Sequence, residues 1–216
     1  MRLSVLKPLG RDRPRGLVRL SLCDANLDVA RSLADCFDDV AGVEVLHGDL
    51  FDLECDAVVS PANSFGDMSG GVDQRIDRFY DGAAQRESMK RIADRFHGEL
   101  PVGAATIIEL ESRRFPFLIV APTMRVPSRV SETINAYLAL RAALAVVVDH
   151  NRAGCSPISS VAVPGLATGV GGMAVEDAAI QMRAAYDMIL LEGWKRIAHP
   201  VQAPFAIAKD FRASSS

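Results

Sequence analysis

At 216 residues, 49% of them hydrophobic, the chain has the size of one ordinary domain and enough apolar surface to bury a core, which excludes global disorder. A formal net charge of −3 excludes any bulk attraction to nucleic acid, and the basic run Arg11, Arg13, Arg15 and Arg19 reads as a solvated arm. Cys23, Cys36, Cys55 and Cys155 form no CxxC pair, and no apolar leader or run of ~18 apolar residues is present, so free thiols in a soluble, cytoplasmic protein are expected.

Residues 1–16 place Pro8, Gly10, Pro14 and Gly16 among arginines and read as an extended arm. Leu17 to Cys23 predicts a first strand. Asp24 is then the expected cap of a helix whose apolar face is Leu27, Ala30, Leu33, Ala34 and Phe37, ended by Gly42. Val43 to Leu46 and Ala57 to Ser60 read as buried strands separated by a Gly-Asp turn. A polar, glycine-rich loop follows and opens into a helix from Val72, whose face Val72, Ile76, Phe79, Tyr80 and Ala83 continues through Met89, Ile92 and Phe96 after a break near Gly82.

After a turn at Pro101 to Gly103, the segments Ala105 to Leu110 and Phe117 to Ala121 predict a hairpin. Ser131 is the expected cap of a helix running through Val148, apolar nearly all round and therefore buried. Ile158 to Val163 is a further strand, and Ala174 to Leu191 a helix with Glu176 and Asp177 in its first turn, stopped by Gly193. The tail, 194–216, is expected to dock an irregular strand over 204–208 and then fray. Strands alternating with helices around one hairpin predict an α/β fold, a three-layer α/β/α sandwich with a mixed central sheet. The folded unit is expected over 17–193, flanked by the arm and the tail.

Two loops carry the chemistry. The first holds Asn63, Ser64, Asp67, Ser69, Gly70, Gly71 and Asp73 between a strand end and a helix start. Its glycines permit close backbone approach, the Asn63 amide both donates and accepts, and Asp73 can accept from a hydroxyl or orient a water. A turn with a capping Asp would use the same residues. The second loop, Gly165 to Gly172, has four glycines in eight residues beside Thr168, and suits a diphosphate held by backbone N–H groups. It matches neither GxGxxG nor a Walker A loop, and a tight strand-to-helix connection is the plain alternative. The histidines His47, His97, His150 and His199 are scattered, so no metal is expected, and no GxSxG elbow offers a serine nucleophile.

Taken in order, these landmarks resemble the macrodomain, the ADP-ribose-binding α/β/α fold, over roughly Leu17 to Gly193. Gly48-Asp49-Leu50 stands where that family has Gly-Asp-Ile, and Asp56 to Asn63 is similar to its Asp-Ala-Ile-Val-Asn-Ala-Ala-Asn strand. Ser69 to Asp73 is similar to its Gly-Gly-Gly-Val-Asp loop, Leu100 to Gly103 with Thr106 to its Pro-Thr-Gly step, and Val163 to Gly172 to its Pro-x-x-Ser/Thr-Gly-Ile-x-Gly loop.

The resemblance implies that Asp49 accepts from the adenine amino group beside the Leu50 backbone, and that Thr168, Gly169, Val170, Gly171 and Gly172 cradle the diphosphate. It implies that Ser69, Gly70, Gly71, Val72 and Asn63 surround the distal ribose, with Met173 in the place of the family's packing aromatic. It also implies that Asn63 and Asp73 position a water at the distal anomeric carbon. Ser60 replaces the first Asn of the strand motif and Ser69 the first loop glycine. Asp77 stands where one hydrolytic subgroup has His. The insert Phe65 to Met68 sets loop one apart, and the lone Glu87 lacks the adjacent partner of poly(ADP-ribose) glycohydrolases.

The expected activity is therefore hydrolysis at the distal ribose of an ADP-ribose derivative. Candidate substrates are a mono-ADP-ribosyl adduct on protein or nucleic acid, O-acetyl-ADP-ribose and ADP-ribose 1″-phosphate, with no cofactor. A reader module without turnover is the alternative, and an NAD-type dinucleotide domain a third reading that lacks its fingerprint. Nucleic acid enters only as an ADP-ribosylated substrate, and no membrane partner is expected.

Overall fold

The computed structural model describes residues 18–154 and 156–202; the arm at 1–16, Cys155 and the tail strand at 204–208 lie outside the described residues. Six strands form one sheet: β1 (Arg19–Asp24), β2 (Val43–His47), β3 (Ala57–Ser60), β4 (Thr106–Glu109), β5 (Phe117–Val120) and β6 (Ser160–Val163). Their order is β2-β1-β6-β3-β5-β4, and every pairing is parallel except the expected β4–β5 hairpin. Among the described residues five α-helices accompany them, the last after β6: α1 (Leu27–Cys36), α2 (Gly71–Phe79), α3 (Ala83–Phe96), α4 (Asn135–Arg152) and α5 (Val175–Ile189).

The central strands read as near-continuous apolar runs because both sheet faces are covered. Along β3 the side chains alternate. Ala57 and Val59 join Leu20, Leu22, Ile119 and Val163 under α1, α4 and α5, whereas Val58 joins Leu118, Val120 and Ala162 under α2 and α3. Each fully buried leucine or isoleucine in these two cores, such as Leu20, Leu140 or Ile92, contributes roughly 1.5–3 kcal/mol by leaving water. The expected three-layer α/β/α sandwich with a mixed sheet is what the chain forms.

Two helix starts differ from expectation. Asn26, not Asp24, caps α1 by accepting from the Asp28 N–H at 2.9 Å. Asp24 ends β1 and spends its oxygens elsewhere, accepting from the N–H groups of Asn26 (2.8 Å) and Gly165 (3.1 Å). Ser131 does not cap α4, which begins at Asn135. There the Thr133 hydroxyl donates to the Val130 carbonyl and accepts from the Asn135 N–H, while the Val130 N–H donates to the Gly171 carbonyl at 2.8 Å. That cross-loop bond holds residues 128–133 outside the helix. The expected break between α2 and α3 falls at Asp81 and Gly82, both at positive φ. Among the described residues no helix is long and apolar enough to cross a membrane, and Cys23, Cys36 and Cys55 are free thiols.

Candidate functional site

The carboxyl ends of the parallel strands all point one way, so the loops that follow β1, β2, β3, β5 and β6 gather on one edge, where open α/β sheets hold their ligands. They enclose a cavity of ≈ 500 Å³. Both glycine loops line it, the first through Asn63, Asp67, Ser69, Gly70, Gly71, Val72 and Asp73, the second through Gly165, Thr168, Gly169, Val170 and Gly171. Cys23, Asp24, Asn26, Leu50, Arg75, Thr123 and Met124 complete much of the wall. Burial pushes the Cys23 thiol up to about 11, which leaves it an inert wall residue.

The backbone of both loops is arranged to donate. Among the described residues, the N–H groups of Thr168, Gly169, Val170 and Gly171 meet no protein acceptor, and neither do those of Gly70, Gly71 and Val72 at the start of α2. Helix starts leave such groups orphaned by geometry, and four in succession on a turn form a nest for an anion. The glycines divide into two kinds. A Cβ on Gly165 would stand 2.5 Å from Val29 Cγ1, and one on Gly171 would stand 2.5 Å from the Ala167 carbonyl oxygen, so packing itself requires glycine there. At Gly70 and Gly169 a Cβ would meet nothing within 4 Å, and neither residue has positive φ. The fold does not need glycine at those two positions; a ligand approaching the backbone would.

Asp73 lies in the first turn of α2, its Oδ1 accepting from Ser60 Oγ at 2.6 Å and from the Ala62 N–H at 3.3 Å. Burial pushes this carboxyl up to about 6; the two hydrogen bonds oppose the rise and the nearby Asp67 charge adds to it. Ser60, which replaces an expected asparagine, is thus the residue that orients the acid.

Asn63 is spent on its own loop. Its Oδ1 accepts from the N–H groups of Phe65 (3.0 Å) and Asp67 (3.3 Å), and its Nδ2 donates to the Asp67 carbonyl (3.0 Å). One amide hydrogen is left over, so this side chain shapes the loop more than it can grip a ribose diol. Asp77, in the position of the subgroup's histidine, accepts from the Gln85 N–H at the start of α3.

Three expected ligand residues stand off the cavity wall. Asp49 caps the short turn Leu50–Asp52 through the Phe51 N–H and pairs with Arg75 at 2.6 Å, because α2 brings that guanidinium over the Gly-Asp turn. Met173 is 3% exposed within the core under α5, and Gly172 faces the Arg129 guanidinium rather than the cavity. Residues the sequence reading did not place at the site are Arg75, Asp24, Asn26 and the Thr123–Pro127 segment. An Asp-x-Asn directly after a strand end was the available signal for the second and third.

The loops are also tied to one another. The Ser64 N–H donates to the carbonyls of Met124 and Arg125, Asn63 bridges Met124, and Val130 reaches Gly171. Phe65 projects from this rim at 38% exposure, beneath the Arg125 guanidinium that Glu99 holds at 2.7 and 2.9 Å.

The Macro domain family model matches residues 59–182. An uncharacterized protein of Aeropyrum pernix is 36% identical over 153 residues, covering 70% of this chain and 74% of its own. The macrodomain of Mycobacterium tuberculosis DarG superposes with a TM-score of 0.53 at 26% identity, over 65% of this chain and 87% of that one. Thermosipho africanus DarTG in complex with ADP-ribose superposes at 0.54 and 18% identity, over 77% of this chain and 50% of that one, a likeness of fold. With both glycine loops inside the matched span, this chain belongs to the macro-domain family.

Proposed function

We propose that the cavity binds ADP-ribose and that the chain hydrolyses a bond at the distal ribose of an ADP-ribose derivative. The observation that carries this reading is the set of unpartnered N–H groups at 168–171 and 70–72 on one cavity. The first set suits a diphosphate and the second a ribose, and the similar Thermosipho africanus protein is itself recorded with ADP-ribose. For an adduct linked through C1″, water attacks C1″; its oxygen forms the new bond as the bond from C1″ to the leaving atom breaks, and that atom takes up a proton. Asp73 accepts the proton of the attacking water and returns one to the leaving group. A carboxyl pushed up to about 6 is a stronger base than an ordinary aspartate and is still ionised at neutral pH. Asn63 acts as a positioning residue through the shape of loop one.

The substrates within this reading are mono-ADP-ribosyl adducts on protein or nucleic acid, O-acetyl-ADP-ribose and ADP-ribose 1″-phosphate. The lone Glu87, paired with Arg86 on α3, does not support poly(ADP-ribose) glycohydrolase activity. The folded unit is taken as 17–193, and the three free thiols favour a reducing, cytoplasmic setting. Turnover of the three substrate types by wild type, Asp73→Ala and Asn63→Ala is the test. Inactivity of wild type on all three, with ADP-ribose still bound in calorimetry, would leave the second reading, a reader module. That alternative is favoured by Asp77 and Asn63, whose side chains are committed to loop and helix structure.

A further inference from the structure

Among the described residues, the charged ones on the cavity wall are Asp24, Asp67, Asp73 and Arg75, and the arginine is already paired with Asp49. A site for a nucleotide diphosphate therefore offers neutral N–H groups to the phosphates and has an excess of carboxylate. That excess is unevenly placed. Asp24 is turned to the Gly165 N–H on the loop-two side, whereas Asp67 and Asp73 both belong to loop one.

Asp67 is held rigidly. Its Oδ1 accepts from the Ser69 N–H at 3.0 Å and its Oδ2 from Ser69 Oγ at 3.1 Å, while its own N–H and carbonyl are both bonded to the Asn63 amide. On one side Gly66 packs so closely that a Cβ would lie 3.0 Å from Ile92 Cδ1. On the other, Met68 is 1% exposed and its N–H donates to Gln85 Oε1 at 2.7 Å. The insert thus fixes one carboxylate near Asp73 and cannot swing it away. The nearby guanidinium of Arg125 is engaged by Glu99 and is absent from the wall, so it does not neutralise the pair.

Resting on the ADP-ribose reading above, we propose that the distal end of this cavity selects substrates whose C1″ substituent is positively charged and rejects anionic ones, with Asp67 setting the preference. Two fixed carboxylates attract a protonated amine or guanidine and repel a phosphate within a few ångströms, in a part-buried setting where charge is poorly screened. Of the candidate substrates, a nitrogen-linked adduct on a basic acceptor fits this end, and ADP-ribose 1″-phosphate does not.

The test is calorimetry at pH 7.5 with ADP-ribose and two non-hydrolysable carbon-linked analogues, one bearing a 1″-aminomethyl and one a 1″-phosphonomethyl group. The expected result is an affinity ratio of about fivefold or more in favour of the aminomethyl analogue, which Asp67→Asn reduces at least about twofold. A ratio below that in wild type, or one that Asp67→Asn leaves unchanged while ADP-ribose still binds, overturns the proposal. If Asp67→Asn no longer binds ADP-ribose, Asp67→Ser replaces it in the same comparison. Failure of wild type to bind ADP-ribose at all would instead remove the reading beneath the proposal.

Discussion

Replacing Asp73 by asparagine should make the protein more stable while removing its turnover. In the folded chain the carboxyl is pushed from 3.8 up to about 6, mainly by burial. Below the lower value both folded and unfolded chains carry the proton and the group contributes nothing to the pH dependence. Between the two values the unfolded chain ionises first, so stability falls as pH rises, and above about 6 the loss is complete and constant. A shift of about two units corresponds to ~3 kcal/mol, and partial solvent access at the cavity wall reduces the expected figure to ~1–3 kcal/mol. Asparagine keeps the shape and an oxygen for the Ser60 hydroxyl and Ala62 N–H but never ionises. Urea unfolding of both proteins at pH 4, 5, 6 and 7.5 should therefore give curves that nearly coincide at pH 4 and separate by ~1–3 kcal/mol at pH 7.5, the variant being the more stable. A gap that does not change with pH, or a variant that is weaker at pH 7.5, refutes the claim that a destabilised carboxylate is stored here.

The same carboxyl sets the rate: kcat/KM of the wild type should rise with pH through a midpoint near 6, as a pH-rate profile would record. Gly169→Ala should leave thermal stability within about 0.5 kcal/mol of wild type, because its Cβ enters open space, yet weaken ADP-ribose binding about tenfold or more in calorimetry. Gly165→Ala should show the opposite emphasis, losing ~1–3 kcal/mol in urea unfolding from the clash with Val29. Tyr80→Phe, which removes the donor to the Phe115 carbonyl at 2.8 Å in the second core, should lose ~1–2 kcal/mol in urea unfolding while ADP-ribose affinity is unchanged.

Much of the fold was legible because its signals are local. Ala57–Ser60 is a short apolar run closed by a proline, and the β4–β5 pair lies on either side of a polar turn, so strand and hairpin follow from pattern alone. The start of α4 was not legible. Ser128, Ser131 and Thr133 are all good cap residues, yet the helix starts after Ile134 with no side-chain cap, and Val130 ahead of it is held by a bond to Gly171, some 40 residues downstream. At the site, the glycine loops were visible but their inner division was not, since Gly165 and Gly169 look alike in a string and differ only in what surrounds them. Likewise Asp49 looked available for a base until Arg75 arrived from another helix, and Met173 matched a ligand position while its side chain turned to the core.

The bonds from Ser64 to Met124 and Arg125, and from Val130 to Gly171, join three connections in series along one side of the mouth. A rim under such restraint is ordered before anything enters, so little conformational entropy is left to lose on association. The same restraint couples the segments to one another. A guest drawing Gly169 inward also pulls on Val130, and through the segment ahead of α4 on Asn63, so a substitution at one rim should be felt in affinity at the other.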